Sequence, residues 1–395
     1  MVRRKPVLPI TDSSRLTKPV AGGLRSLLAR DERPAGPPAA TAGPRVERQT
    51  LVLGIDFGAN ETRLIAAVPG VEEYYLRRSI PSVVASQLPE DEKTLSPFLY
   101  FGADALSKGP RFQKFLPWQD GDIADPLMAR ELARHLRDLM RRSEALLCRA
   151  VVAEPVTLSP EGRHHLRQAL RGLFDQVVFL PRPYLAGVGL RQHSRQRSAA
   201  IEDGGEALLV DLGAGTTEAG RVGARYPGVN DMVGQAFGGR QVELLVREAL
   251  RQEYPAFRPD ASQIRDWLEN FGFVGEPVST VAVKVEVDGV EREVVLTNSL
   301  RRAGEAWLAQ AQQLVELLLE QVGHDGERPA NIYLTGGGSR LNRLAPVLAT
   351  RLARNGFEGL AVEVIEPEEL SLVAVGALHA ARQVRDDQWP RFALV

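Results

Sequence analysis

The 395-residue chain contains a single cysteine, Cys148. That excludes a disulfide framework within the chain and any zinc site built on cysteines. Histidine is scarce too: there are six, and only His164 and His165 are neighbours. The ligand spacings of metalloproteases and zinc deaminases are therefore missing. No apolar stretch approaches the ~18–20 residues of a membrane span, and the basic N-terminus lacks the apolar run of a secretory signal. None of the few lysines follows a glycine, so there is no G-x-x-x-x-G-K-[ST] loop. Glu218 stands where a dinucleotide fingerprint starting at Gly213-x-Gly215 needs its third glycine, and there is no G-x-S-x-G elbow. What remains is 44% hydrophobic and 25% charged. That is a globular composition expected in a reducing compartment, long enough for two domains of ~100–200 residues.

The net charge of −1 hides an asymmetry. Residues 1–49 hold ten Lys/Arg against four Asp/Glu, leaving 39 against 46 for the remainder. The basic part is the tail, which argues against a nucleic-acid-binding body. With seven prolines and no sustained periodicity, 1–49 is expected to be disordered. Leu24–Arg30 could form a short basic amphipathic turn. Such an arm is either solvated and inert, or binds an anionic membrane surface or a protein partner.

From residue 50 the pattern is regular. Apolar runs at Thr50–Phe57 and Thr62–Val68 flank Gly58 and predict a hairpin. Short strands are expected at Tyr74–Arg78, Pro81–Ser86, Ala150–Val156 and Val177–Leu180. Helices are expected at Asp125–Arg142 and from a Ser159 cap to about Gln176. The second half repeats the opening device: Ala207–Leu212, a turn at Gly213-Ala214-Gly215, then Thr216–Val222. Asp56-Phe57-Gly58-Ala59 and Asp211-Leu212-Gly213-Ala214 are 155 positions apart, which implies two related domains. Helices at about 239–254, 261–271, 299–323 and 340–354 complete the second.

An Asp at the end of a buried strand, followed by small residues, sets a carboxylate beside exposed amides. Amides can cradle phosphate oxygens, and a carboxylate can hold a hydrated Mg²⁺. Two such hairpins facing each other would grip a polyphosphate. A third element, Leu334-Thr335-Gly336-Gly337-Gly338-Ser339, feeds a strand through three glycines into an expected helix at Arg340–Leu352, so a flat ligand could approach its backbone closely.

With these pieces in order, the chain resembles the actin-like ATPase superfamily, the fold of actin, sugar kinases and the seventy-kilodalton heat-shock chaperones. The resemblance spans roughly 50–385 and is closest to MreB-type bacterial actins. It is carried by Ser79–Ala85, Phe101–Ala105 and Asp120-Gly121-Asp122-Ile123-Ala124-Asp125 as well as by the three loops. It implies an α/β fold of two ribonuclease-H-like domains around a nucleotide cleft, at 50–190 and 191–385. A smaller subdomain would be inserted at about 238–300, and 386–395 would form a tail. ATP or ADP with Mg²⁺ would sit between the domains, the metal on Asp56 and Asp211. Gly58, Ala59, Asn60 and Thr62 match the first phosphate loop. Gly213, Ala214, Gly215, Thr216 and Thr217 match the second, and Gly336, Gly337, Gly338 and Ser339 the adenosine loop. Gly238, Gly239, Arg240, Glu243 and Arg265 fall where the family contacts the nucleotide from its second domain.

The chain departs from the family's pattern at several of these positions. Ala59 replaces a Thr, Arg240 an Asp, Arg265 a Lys and Trp267 a Glu. Arg182 stands where the family places the glutamate that orients the attacking water, which implies weak or absent hydrolysis. The resemblance thus implies a bacterial, cytoplasmic, nucleotide-dependent filament or scaffold protein, with the inner face of the membrane as a candidate location. An adaptor of the chaperone type, using nucleotide as a switch, is the alternative. A full chaperone would continue beyond Val395 into a peptide-binding domain. A sugar or acid kinase would need a carboxylate base that the sequence does not identify.

Overall fold

The computed structural model describes residues 48–87, 98–140, 146–197, 206–223, 226–287, 289–322, 329–365 and 371–394. The expectations for the basic arm, disorder and an amphipathic turn, lie outside them up to residue 47. Strands β1 (Gln49–Phe57), β2 (Glu61–Ala67) and β3 (Tyr74–Pro81) form an antiparallel meander. β4 (Val84–Gln87), β5 (Leu99–Phe101) and β6 (Phe112–Phe115) make a small separate sheet, and β7 (Trp118–Gln119) and β8 (Asp122–Ile123) a short ribbon. β9 (Leu146–Glu154) and β10 (Gln176–Pro181) then join β1 in parallel, giving the order β10-β9-β1-β2-β3.

The second half repeats this layout. β11 (Ala207–Leu212), β12 (Thr217–Val222) and β13 (Met232–Gln235) form the meander. β14 (Ala282–Val287) and β15 (Val290–Val295) form a separate hairpin within the inserted region. β16 (Asn331–Thr335) and β17 (Ala361–Val364) complete the order β17-β16-β11-β12-β13. The repeat read from two short motifs therefore extends to whole sheets.

Strand alternation decides what faces what. On β1, Leu51, Leu53, Ile55 and Phe57 pack under the helices Pro126–Leu139 and Pro160–Leu170. On β11, Leu208, Val210 and Leu212 pack with the helices Gly239–Glu253, Thr297–Val322 and Leu344–Arg354. The opposite faces, with Val52 and Leu209, share a central core with the helices Arg182–Arg197 and Leu372–Gln383. Asp56 and Asp211 share the parity of Val52 and Leu209, so both belong to the inward face. The result is a helix–sheet–helix–sheet–helix stack with both aspartates on the central layer.

That layer is closely packed. A Cβ on Gly54 would collide with the backbone of Ala374 and Leu378, one on Gly189 with Leu372 O, and one on Gly376 with Leu185 O. Sequence periodicity misses both central helices, because Pro183, Gly187 and Gly189 interrupt the first and the second is apolar on nearly every side. Other expectations shift. The helix capped by Ser159, whose Oγ accepts from Gly162 N at 2.8 Å, ends at Leu170 rather than Gln176, because Gly172 turns left-handed at φ 74°. The segment 386–394 is no trailing tail: Trp389 is buried against Phe392.

The central contact generates a stability prediction. Gly376→Ala forces a methyl into the Leu185 carbonyl, and overpacking of this kind costs about 1–3 kcal/mol. A lower midpoint in urea is the expected result, and an unchanged midpoint would refute the close helix crossing.

Candidate functional site

The two hairpins close identically. Gly58 N–H donates to Glu61 O at 3.0 Å and Gly213 N–H to Thr216 O at 2.9 Å. In register, Phe57 faces Thr62 and Leu212 faces Thr217. This leaves Ala59–Asn60 and Ala214–Gly215 at the two tips, and the tips meet. A Cβ on Gly215 would stand 3.0 Å from Ala59 Cβ and 3.3 Å from the amides of Asp120 and Gly121. The Asp120–Asp125 segment thus lines the cleft with its left-handed corner at Asp120 and Gly121, while Asp125 caps the following helix through Met128 N at 3.0 Å.

Between the hairpins lies a buried ionic cluster. Arg182, the first residue of the helix after β10, donates from Nη2 to Asp56 Oδ1 at 2.9 Å and to Phe57 O at 3.0 Å. Ser371 Oγ donates to Asp56 Oδ2 at 3.2 Å, and Arg63 Nη1 lies 3.7 Å from the same oxygen. Burial opposes the guanidinium's charge, but Asp56, Glu218 and Asp211 around it hold its pKa above the ordinary value. Burial also raises the pKa of Asp211, against the pull of Arg182. Glu218 is fully enclosed. It accepts from Thr216 Oγ1 at 3.0 Å and Val156 N at 3.4 Å, and burial pushes its carboxyl up to about 7.

Several residues expected to touch ligand instead build the walls. Thr62 Oγ1 lies 2.8 Å from Ser82 Oγ, which donates to Gly58 O at 2.6 Å, so Thr62 is a buried brace of the first hairpin. Thr217 Oγ1 donates to Phe237 O at 2.7 Å and accepts from Trp307 Nε1 at 2.9 Å, so it faces the core. Gly238 packs on the second hairpin, with Gly239 N–H bonded to Gly213 O at 3.0 Å and Arg240 N–H to Ala214 O at 2.9 Å. The side chain of Arg240 reaches across the cleft to the carbonyls of Ala59 and Trp118, and Gln241 beside it reaches Asp120.

The adenosine-type loop follows β16. Gly336 has φ 85°, and a Cβ there would strike Asp211 Oδ1 and the Leu212 carbonyl. Gly338 lies against the Trp307 ring, Gly337 is open, and Ser339 Oγ turns back to Gly336 O at 2.7 Å. Gly337–Arg340 is a 3₁₀ turn, and the helix expected at Arg340 begins at Leu344 after a left-handed Arg343. Glu243 and Arg265 do come together, with Nε to Oε1 at 2.9 Å. Trp267 joins the core. Sequence reasoning missed Ser82, Trp307 and Ser371, and met Glu218 only as a mismatch to another motif.

These residues fit a nucleotide better than a metal. Arg182 Nε, Trp118 Nε1 and Thr157 Oγ1 are buried around the hairpins without a partner. The tip amides and the open Gly337 suit a phosphate-bearing ligand. A divalent cation on Asp56 and Asp211 does not fit: both oxygens of Asp56 are engaged, and a guanidinium stands beside them. Among the described residues, no group of three or more His, Cys, Asp or Glu could hold a metal ion. None of the described helices is long and apolar enough to cross a membrane.

No protein-family model matches the chain. It is 24% identical over 318 residues to the actin-like protein MamK of Paramagnetospirillum magneticum, covering 77% of this chain and 85% of that one. Its fold superposes on a MamK double helical filament with a TM-score of 0.71 at 22% identity, over 85% of this chain and 100% of that one. A Spiroplasma citri MreB5 structure bound to ADP gives 0.61 at 19% identity, over 84% and 95%.

Glu218 generates a pH prediction. Its folded pKa of about 7 exceeds the ~4.3 of an unfolded glutamate. Its contribution to stability is therefore complete below the unfolded value and is lost as pH rises through the folded one. Glu218→Gln keeps both neighbours bonded if the Thr216 hydroxyl turns to accept. The variant's melting temperature should gain on the parent's as pH rises from about 5 to about 8. A pH-independent difference would contradict the raised pKa.

Proposed function

We propose that this chain, which has the fold of the actin-like ATPase superfamily close to the MreB-type bacterial actins, is a nucleotide-binding, filament-forming protein. The observation that carries the reading is the facing pair of identically closed hairpins at the carboxyl ends of β1 and β11. In open α/β sheets that end is where ligands bind. ATP or ADP would lie across the tips Ala59–Asn60 and Ala214–Gly215, with its base toward Gly336–Ser339 and the Glu243–Arg265 pair. The likeness to a MamK filament favours head-to-tail assembly, a heterologous contact that propagates without closing, over the chaperone-type adaptor.

Hydrolysis should be slow. Arg182 offers only donors and is bound to Asp56, so it cannot accept from an attacking water as a carboxylate does. In the bacterial cytoplasm the basic residues 1–49 would bring the filament to anionic lipid at the inner face of the membrane.

Sedimentation and electron microscopy with and without ATP test the assembly. A nucleotide-dependent pellet of filaments is expected, and a monomer under both conditions would return the adaptor reading. Single-turnover phosphate release should be slow in the parent and faster in Arg182→Glu. A rapid parent slowed by that change would overturn the role given to Arg182. Deleting 1–49 should remove salt-sensitive binding to anionic liposomes, and equal binding by the truncated protein would discard the membrane arm.

A further inference from the structure

The superfamily's expected cation site and the observed arrangement disagree, and the geometry shows how. Arg182 Nη2 is fixed on the first hairpin by Asp56 Oδ1 at 2.9 Å and Phe57 O at 3.0 Å. Nη1 lies toward the second hairpin, where a Cβ on Gly213 would stand 3.9 Å from it. Nε is buried without a partner. A positive charge, 7% exposed, is therefore held between the hairpins with Nε and Nη1 outside the bond to Asp56.

We infer that the Arg182 guanidinium stands in for the divalent cation, so that this cleft takes nucleoside polyphosphates without a bound metal. The inference rests on the nucleotide-binding reading above. A hydrated cation in such a cleft has two tasks: to neutralise the aspartates and to present positive charge to phosphate oxygens. The guanidinium meets the first through Asp56. It meets the second through its remaining N–H groups, since arginine makes charge-assisted, often paired hydrogen bonds to phosphate and stays protonated. The other oxygen of Asp56 accepts from Ser371 and has Arg63 3.7 Å away. A doubly charged ion entering there would face both Arg182 and Arg63, two like charges at close range. Arg240, whose side chain reaches the Ala59 carbonyl, adds a further cation at the cleft.

Calorimetric titration of the full chain with ATP, once in excess EDTA and once in Mg²⁺, decides the matter. The two dissociation constants should agree within about threefold. Binding that weakens by more than about tenfold in EDTA overturns the inference and leaves nucleotide binding standing. No binding in either buffer overturns both. In Arg182→Gln, affinity in EDTA should fall about tenfold, the size of a charge-assisted hydrogen bond. It should recover with Mg²⁺, because Asp56 Oδ1 is then released from the guanidinium. Arg182→Lys keeps the charge and should keep EDTA-resistant binding, which covers a failure of the neutral variant to fold. If both variants bind ATP in EDTA as the parent does, Arg182 is not the cation and the inference falls.

Discussion

The ion pair between Arg182 and Asp56 is a buried junction of three elements. Asp56 is the penultimate residue of β1, Arg182 starts the first central helix, and Ser371, which also accepts from Val373 N at 3.2 Å, caps the second while donating to the same carboxylate. One buried carboxylate thus joins the core strand of the first sheet to both helices of the central layer. Removing either partner of a buried pair leaves an uncompensated charge, at a cost of about 3–5 kcal/mol. The cluster is therefore a structural requirement before it is a binding site. Any ligand has to work with charges that the fold already needs.

The glycines of the central layer explain why those charges are so close. Backbone-to-backbone approach at Gly54, Gly189 and Gly376 brings β1 and the two central helices nearer than side chains would allow. Strand parity turns Asp56 and Asp211 inward, and the tight hairpins turn the chain back immediately after them. The cleft is where two inward-facing strands run out together.

Much of this was legible in the sequence, and the parts that were not share a cause. The hairpins were readable because their information is local: an apolar run, an aspartate and a glycine turn, twice, 155 positions apart. The orientation of Arg182 was not readable, because it depends on Asp56, 126 positions away. Thr62 and Thr217 look like loop residues that could face a ligand, yet each follows the turn as an in-register strand residue opposite Phe57 or Leu212, on the face away from the aspartates. Gly238 and Gly239 carry a nucleotide-type signature but spend their small size and amides on the second hairpin. The first central helix escaped because glycine, which permits its packing, also erases its periodicity, and the second because it is apolar on nearly every side. Local motifs announce themselves, whereas the partners of a buried charge are set by tertiary contact.

The repeat is faithful in backbone and inverted in charge. In register, Asp56 faces Arg63 on β2 and Asp211 faces Glu218 on β12, at equivalent places in the two hairpins. The first hairpin therefore brings its own cation to its aspartate, while the second sets a second carboxylate beside Asp211. Left alone, two buried carboxylates at that distance could not both ionise cheaply. Burial first, and the neighbouring Asp211 second, raise the Glu218 pKa, and Arg182 is the cation that both carboxylates face. A symmetric pair of hairpins, each with its own arginine, would leave no demand for a shared one. The inversion at 63 and 218 leaves Asp211 and Glu218 facing Arg182, whose hydrogen bonds run to the first hairpin.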